Sequence, residues 1–383
     1  MTRSTPFPFR RSSGKAHPGV ALVMAVVAMA VLGALMAGVF FTALREQRDG
    51  RDSVSRVKAL AVAEYGLAVA LSPDSWRSSW NITARRGLLH ESSYAPNPGT
   101  NDSVRLWKLE RNSFLLTSVG LAGPKISRAT RRLALLVTLR IPQLPARYAV
   151  IAMNSAAVSD SSRISGTDTV PPVWNCPPAD DEQPAVIIPQ ASSVDDVGCT
   201  IVQCITGAPP VAIDSAAAGA DMYQRFGQVD RDSIASAALQ LADDAVLSAP
   251  APALDGEGEC DTARLDNLGD PLRLLGPESP CADHFPVLHA PGNMRIQGGE
   301  GQGMLLVDGD LTLAAGAHFS GVVAVRGVLE ITEHSELHGA VLASSVIVYG
   351  GSRARYSSCA VERALRAAAT PVVPVGSAWS EMY

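Results

Sequence analysis

The chain has 383 residues, 47% of them hydrophobic, enough for two cored domains, and its formal net charge of −5 is unevenly spread. Residues 1–150 carry 21 Lys and Arg against 8 Asp and Glu, whereas residues 173–300 carry 5 against 20. The arginines of the basic half are scattered and build no recognised recognition module, so nucleic acid is not an expected partner.

Arg3, Arg10, Arg11 and Lys15 open the chain with no acidic residue among them, and nothing from Val20 to Leu44 is charged. As a helix those roughly 25 residues are about 37 Å long, enough to cross a bilayer. A secretory signal has an apolar core of roughly 7–15 residues and a small-x-small cleavage site. This run is longer and ends Val39-Phe40-Phe41-Thr42-Ala43-Leu44, so that reading is rejected. The basic flank places the amino terminus in the cytoplasm and everything beyond Arg45 outside. Small residues dominate the run, among them Ala30, Gly33, Ala37 and Gly38, and such residues let helices approach closely in a membrane. No proline follows before Pro73, and Val57, Ala61, Glu64, Leu67, Ala68 and Leu71 form a stripe at helical spacing. The pattern predicts one helix over residues 20–72, about 80 Å long, transmembrane over 20–44 and amphipathic beyond.

The basic leader ending in glycine, the helix start GVALVMAVVAMAVLGAL and the later ALAVAEYGLAVAL resemble the PilX-type minor pilins of type IV pilus assembly. The start is also similar to the K-type pseudopilins of type II secretion. The resemblance is concentrated in residues 17–71. It implies that residues 1–19 are a leader cut by prepilin peptidase between Gly19 and Val20, that the new amino terminus is methylated, and that the helix passes from the inner membrane into a filament of other pilins or pseudopilins. Most major pilins carry glutamate at the fifth mature residue, where this chain has Met24, a departure that suits an initiating or tip subunit. Glu64 is a candidate partner for an arginine of a neighbouring subunit.

Residues 73–145 predict a small α/β head. Arg105, Trp107 and Leu109 alternate with Val104, Leu106 and Lys108, and Leu133, Leu135, Val137, Leu139 and Ile141 share one face, so an antiparallel sheet should lie on the helix. Near the other end GMLLVDGDLTL (303–313), GVVAVRGVLEI (321–331) and GAVLASSVIVY (339–349) repeat about every 18 residues, the period of a β-solenoid coil. Gly303, Gly321 and Gly339 coincide, and Gly309 and Gly327 mark tight corners. The stretch 149–166 aligns without gaps on 322–339, with Asn154 in the place of Gly327, and is expected to stack beside 319–339. The fold class expected is therefore α+β: a long pilin-like helix, a small antiparallel sheet, and a short single-stranded β-solenoid over 146–366. Residues 167–284 are expected to be a long insertion with a helix at 230–247, and 367–383 a poorly ordered tail.

The cysteines Cys176, Cys199, Cys204, Cys260, Cys281 and Cys359 all follow the apolar run, which fits disulfides in an oxidising compartment. Six thiols allow about 15 complete pairings, so connectivity stays open. Cys199 and Cys204 have no paired partners of zinc-site spacing, so a bridge is the expectation and metal is not. Asp308, Asp310, Glu330, Glu333 and Glu336 read as solvated outer positions of coils, and His334 and His338 lose the meaning of their spacing on strand and corner. Gly298 to Gly303 lacks the Lys-Ser/Thr of a phosphate loop, and Asp180-Asp181-Glu182 and Asp195-Asp196 read as solvated loops. No nucleophile, base and orienter come together. The expectation is a non-enzyme without cofactor: a minor pilin within or capping a type IV pilus-like filament. The alternatives are a type II secretion pseudopilin and a membrane-anchored carbohydrate-binding or carbohydrate-cleaving solenoid.

Overall fold

The computed structural model describes residues 18–72, 85–98, 100–110, 112–124, 128–159, 161–177, 182–191, 194–197, 201–219, 221–373 and 380–382. Most of the expected leader, Asp180, Asp181 and Cys199 lie outside the described residues.

Helix α1 (Pro18–Leu71) is a single run of 54 residues, started by Pro18, whose missing N–H costs nothing at a first turn, and closed ahead of Pro73. Its burial changes abruptly along its length. Leu22 through Phe41 are exposed, whereas Ala59, Val62, Ala63, Leu67 and Ala70 are buried. The buried stripe is not the one expected from the sequence: Val57, Ala61, Glu64 and Ala68 face outward. The reason is close approach. A Cβ on Gly120 of the sheet would lie 2.0 Å from the Ala59 carbonyl oxygen, and the Cβ of any larger residue at Gly66 would collide with the Asp102 carboxylate. The buried face wins because Ala59, Ala63, Gly66 and Ala70 let backbone meet sheet between Val62 and Leu67.

That sheet is an antiparallel meander of β1 (Gly87–Tyr94), β2 (Thr100–Lys108), β3 (Ser113–Ala122) and β4 (Ala129–Arg140). Leu106, Leu116 and Leu135 stand in register across it, and Val104, Phe114, Leu133, Val137 and Leu139 complete the layer under α1. The chain end was expected to be poorly ordered, yet Thr370–Val372 and Ser380–Met382 pair antiparallel with β4. The exposed edge of β4 offers ladder groups that a short apolar segment satisfies.

Beyond β4 the chain enters a stack of parallel coils. Each full coil has three short faces: in one they are 318–321, 322–325 and 328–331, and in the next 336–339, 340–343 and 345–348, paired residue for residue. Gly303, Gly321 and Gly339 align as expected, and a Cβ on Gly321 would fall 1.9 Å from the Gly303 carbonyl oxygen. At the Gly309 and Gly327 corner the need is again room rather than a left-handed backbone, since a Cβ on Gly327 would meet Gly309 and Asp310. Buried side chains such as Leu306, Val323, Val325, Leu329, Val341 and Val346 fill a continuous core.

Along one face the strand order is 211–213, 186–188, 150–152, 340–343, 322–325, 304–307, 287–290 and 239–240. The chain thus joins the stack at its middle, through β5 (Val150–Ser159). It runs outward to Val211–Ile213, crosses back over the outside through residues 214–219 and 221–238, and restarts at Leu239–Gln240 at the far end. From there it winds back to Arg353–Tyr356, which pairs with its own early strand Arg163–Ser165. The stretch 149–166 therefore stacks on 341–355, one coil further along than expected. An 18-residue period fixes the register but not which coil is the neighbour.

Several segments of residues 167–284, expected as an excursion, belong to the stack itself. Val186–Ile188, Val194–Val197, Ile205–Thr206 and Val211–Ile213 extend one end, and Leu239–Gln240 and Ala245–Ser248 extend the other. The helix expected over 230–247 covers only Arg231–Ser236, capped by Asp230, which accepts from the Ser233 N–H at 2.7 Å. The following residues pair with 288–297 instead, where exposed strand edges outweigh local helix propensity. The crossing segment is fastened to the coils by buried Tyr223, whose hydroxyl donates to the Ala343 carbonyl at 2.7 Å, and by buried Arg231, which donates to the Val307 carbonyl at 3.2 Å. A last helix, Ser358–Ala367, packs over the coils and hands the chain back to β4.

Candidate functional site

The most unusual surface is the first half of α1. Leu22 is 71% exposed and Met36 73%, in a membrane-length stretch with mean hydropathy 2.6 and none of it buried. Each large aliphatic side chain left in water forgoes roughly 1.5–3 kcal/mol, and over such a run the sum exceeds the 5–15 kcal/mol that holds a domain folded. Such a surface suits cover by lipid or by other helices.

The two sides of this rod differ. Ala30, Gly33, Ala37 and Gly38 fall on one side by helical spacing, and a Cβ at Gly33 or Gly38 would meet nothing within 4 Å. Leu32, Leu35, Met36, Val39, Phe40 and Ala43 line a shallow apolar groove on the other. A smooth side opposite a knobbed side is an arrangement by which like rods can pack side to side. Gly19 and Val20 sit in the first turn of the helical backbone. Glu64 is exposed, about seven turns beyond Gly38.

A buried carboxyl group lies where the rod meets the head. Asp102 is fully buried under Gly66; one of its oxygens accepts from the Ser118 hydroxyl at 2.8 Å and the other has no partner. Burial raises its pKa to about 6, against the lowering effect of the Ser118 bond. In the coil stack Glu300 is likewise buried beside Asp270; desolvation first, then Asp270, raise its pKa to about 8. Asp270 itself is held by the Leu274 and Leu275 N–H groups.

Two disulfides are formed by Cys176 with Cys359 and by Cys260 with Cys281, and Cys204 is also disulfide-bonded. Cys176–Cys359 ties the outward-running coils to the helix that returns to the head. Arg363 of that helix stacks on Trp174 at 4.7 Å, and Trp174 donates to the Pro271 carbonyl at 2.8 Å.

The acidic residues weighed as chemistry are dispersed into separate structural duties. Asp308 accepts from Arg231 at 2.6 Å and contacts His289 at 3.1 Å and Arg326 at 3.4 Å. Asp310 accepts from the Val328 N–H, Glu333 from the Ala315 N–H, Glu330 from the Tyr349 hydroxyl, and Glu336 from Arg353. His338 is buried against Glu336 while His334 turns at a corner with φ 61°. No group of three or more potential metal ligands occurs among the described residues. Sequence reasoning missed the cluster of Arg231, Gln240, His289 and Asp308, because its members come from the crossing segment and three different coils.

No protein-family model matches this chain, and no curated protein matches it. Among solved structures it is similar to the competence-associated pilin ComZ from Thermus thermophilus, over 86% of this chain and 97% of that one, at 11% identity and a TM-score of 0.21.

Proposed function

We propose that this chain is a minor subunit of a type IV pilus-like filament, held in the inner membrane by α1 before assembly and within or at the tip of the fibre afterwards. The observation that carries the reading is the continuity of α1: one unbroken helix is bare and apolar over residues 22–43 and forms part of the head core over 59–70. A simple tether needs no such rigidity. A subunit that must move from lipid to a bundle of sister helices does, because head and rod then travel as one body.

In this reading other pilins are the partners, prepilin peptidase removes residues 1–19, and the amino terminus starts on the cytoplasmic side. Met24 supplies no carboxylate for a neighbour's terminal amine, which suits a sparse or initiating subunit. The coil stack is displayed outward, and its acidic groups, each engaged in a structural contact, fit a non-catalytic role. Intact-mass analysis of protein from membranes and from sheared fibres tests this. The expected species begins at Val20 and is found with fibres; recovery only of chains that retain Met1 and never sediment with fibres would refute it.

A further inference from the structure

We propose that the outward face formed by 353–355, 163–165 and 205–206 binds an acidic polysaccharide, a chain of uronate-type sugars. Arg353 and Arg163 stand directly in register on neighbouring parallel strands, about 4.8 Å apart, and Arg355 is opposite Ser165. Ala354, Ile164 and Ile205 between them point into the core, so the arginines are held on the outer side by the alternation of the strands. Like charges directly opposite one another destabilise a sheet, so the fold gains nothing from this pair. A single carboxylate opposes them: Glu336 meets Arg353 at 3.1 Å. Arg355 shares that carboxylate, its charge helping to hold Glu336 ionised, and Arg163 has no ion pair among the described residues.

The next coil continues the same surface with hydroxyl groups. Thr206 donates to the Ser165 hydroxyl at 3.0 Å, and Ser165 and Thr206 are in register. Guanidinium forks spaced by one strand, followed by hydroxyls, match a ligand with carboxylates on successive rings and hydroxyls between them. A nucleic-acid strand fits less well. The outward positions Arg163, Ser165, Thr206, Arg353 and Arg355 include no aromatic ring for base stacking. This inference is independent of how the chain is anchored.

The test uses the full chain in detergent with polygalacturonate as probe, and dextran and inorganic polyphosphate as comparisons. Saturable binding to polygalacturonate that weakens with salt is expected, with neither comparison bound as tightly. Arg163→Gln with Arg353→Gln should weaken it about tenfold, the loss expected for charge-assisted contacts, while Arg264→Gln on a remote exposed loop leaves it unchanged. Should the double variant misfold, Arg355→Gln alone should weaken it about threefold. Absence of saturable binding, equal binding to polyphosphate, or undiminished binding by the folded variants would overturn the proposal.

Discussion

At the scale of single residues, two buried carboxyl groups make the fold sensitive to base. Burial lifts the pKa of Asp102 from an ordinary 3.8 to about 6, and that of Glu300 from 4.5 to about 8. Both are raised, so the protonated forms favour folding. The contribution is complete below the unfolded pKa values and is lost as pH rises through about 6 for Asp102 and about 8 for Glu300. Urea titrations from pH 4 to pH 9 should therefore show falling stability. Asp102→Asn should flatten the first part of that fall, and Glu300→Gln the second, by roughly 1–2 kcal/mol each. An unchanged slope in both variants would show that neither group is buried as described. The glycine column makes a steeper demand. Gly321→Ala places a methyl group against the Gly303 carbonyl at a φ of +151°, and should cost about 3 kcal/mol or more in urea midpoint terms.

At the scale of elements, the sequence showed the long helix, the antiparallel head and the 18-residue register, for a common physical reason. Each is a periodic pattern sustained over many residues. The bounds of α1 were legible from one proline and an uninterrupted run; its buried face was not, because Ala59, Ala63, Gly66 and Ala70 win by thinness and thinness leaves little mark in hydropathy. The outer coils were illegible because their strands are two to four residues long and their spacing is irregular: 186–188 and 211–213 pair directly across a 25-residue step. The arginine pair at 163 and 353 shows no sequence signal at all, since 190 residues separate its members. A further consequence concerns α1. Gly120→Leu should push the helix off the sheet, raising proteolysis near residue 72 while the coil stack keeps its own resistance, a separation that limited digestion followed by mass analysis will report.

At the scale of the whole molecule, joining the stack at its middle puts both chain connections to the head at one place. The incoming strand β5 lies beside the outgoing coil 340–348, and the helix 358–367 leads from there back to β4. Force applied to the stack would reach the head across this seam, which Cys176–Cys359 closes covalently over a separation of 183 residues. Replacing both cysteines by serine should lower stability by about 2–4 kcal/mol and increase hydrogen exchange in β5 and 353–356 ahead of the interior coils. Uniform exchange across the stack would contradict a seam.

The idea that α1 trades lipid for sister helices is tested most directly by photo-crosslinking from Leu35, in the groove of the bare half-helix, in cells that have been sheared to release surface fibres. Crosslinks to the amino-terminal helix of another pilin should appear in the sheared fraction and be absent when fibre assembly is blocked. Adducts confined to phospholipid, with none of the chain in the sheared fraction, would leave α1 as a membrane tether and the filament account without support.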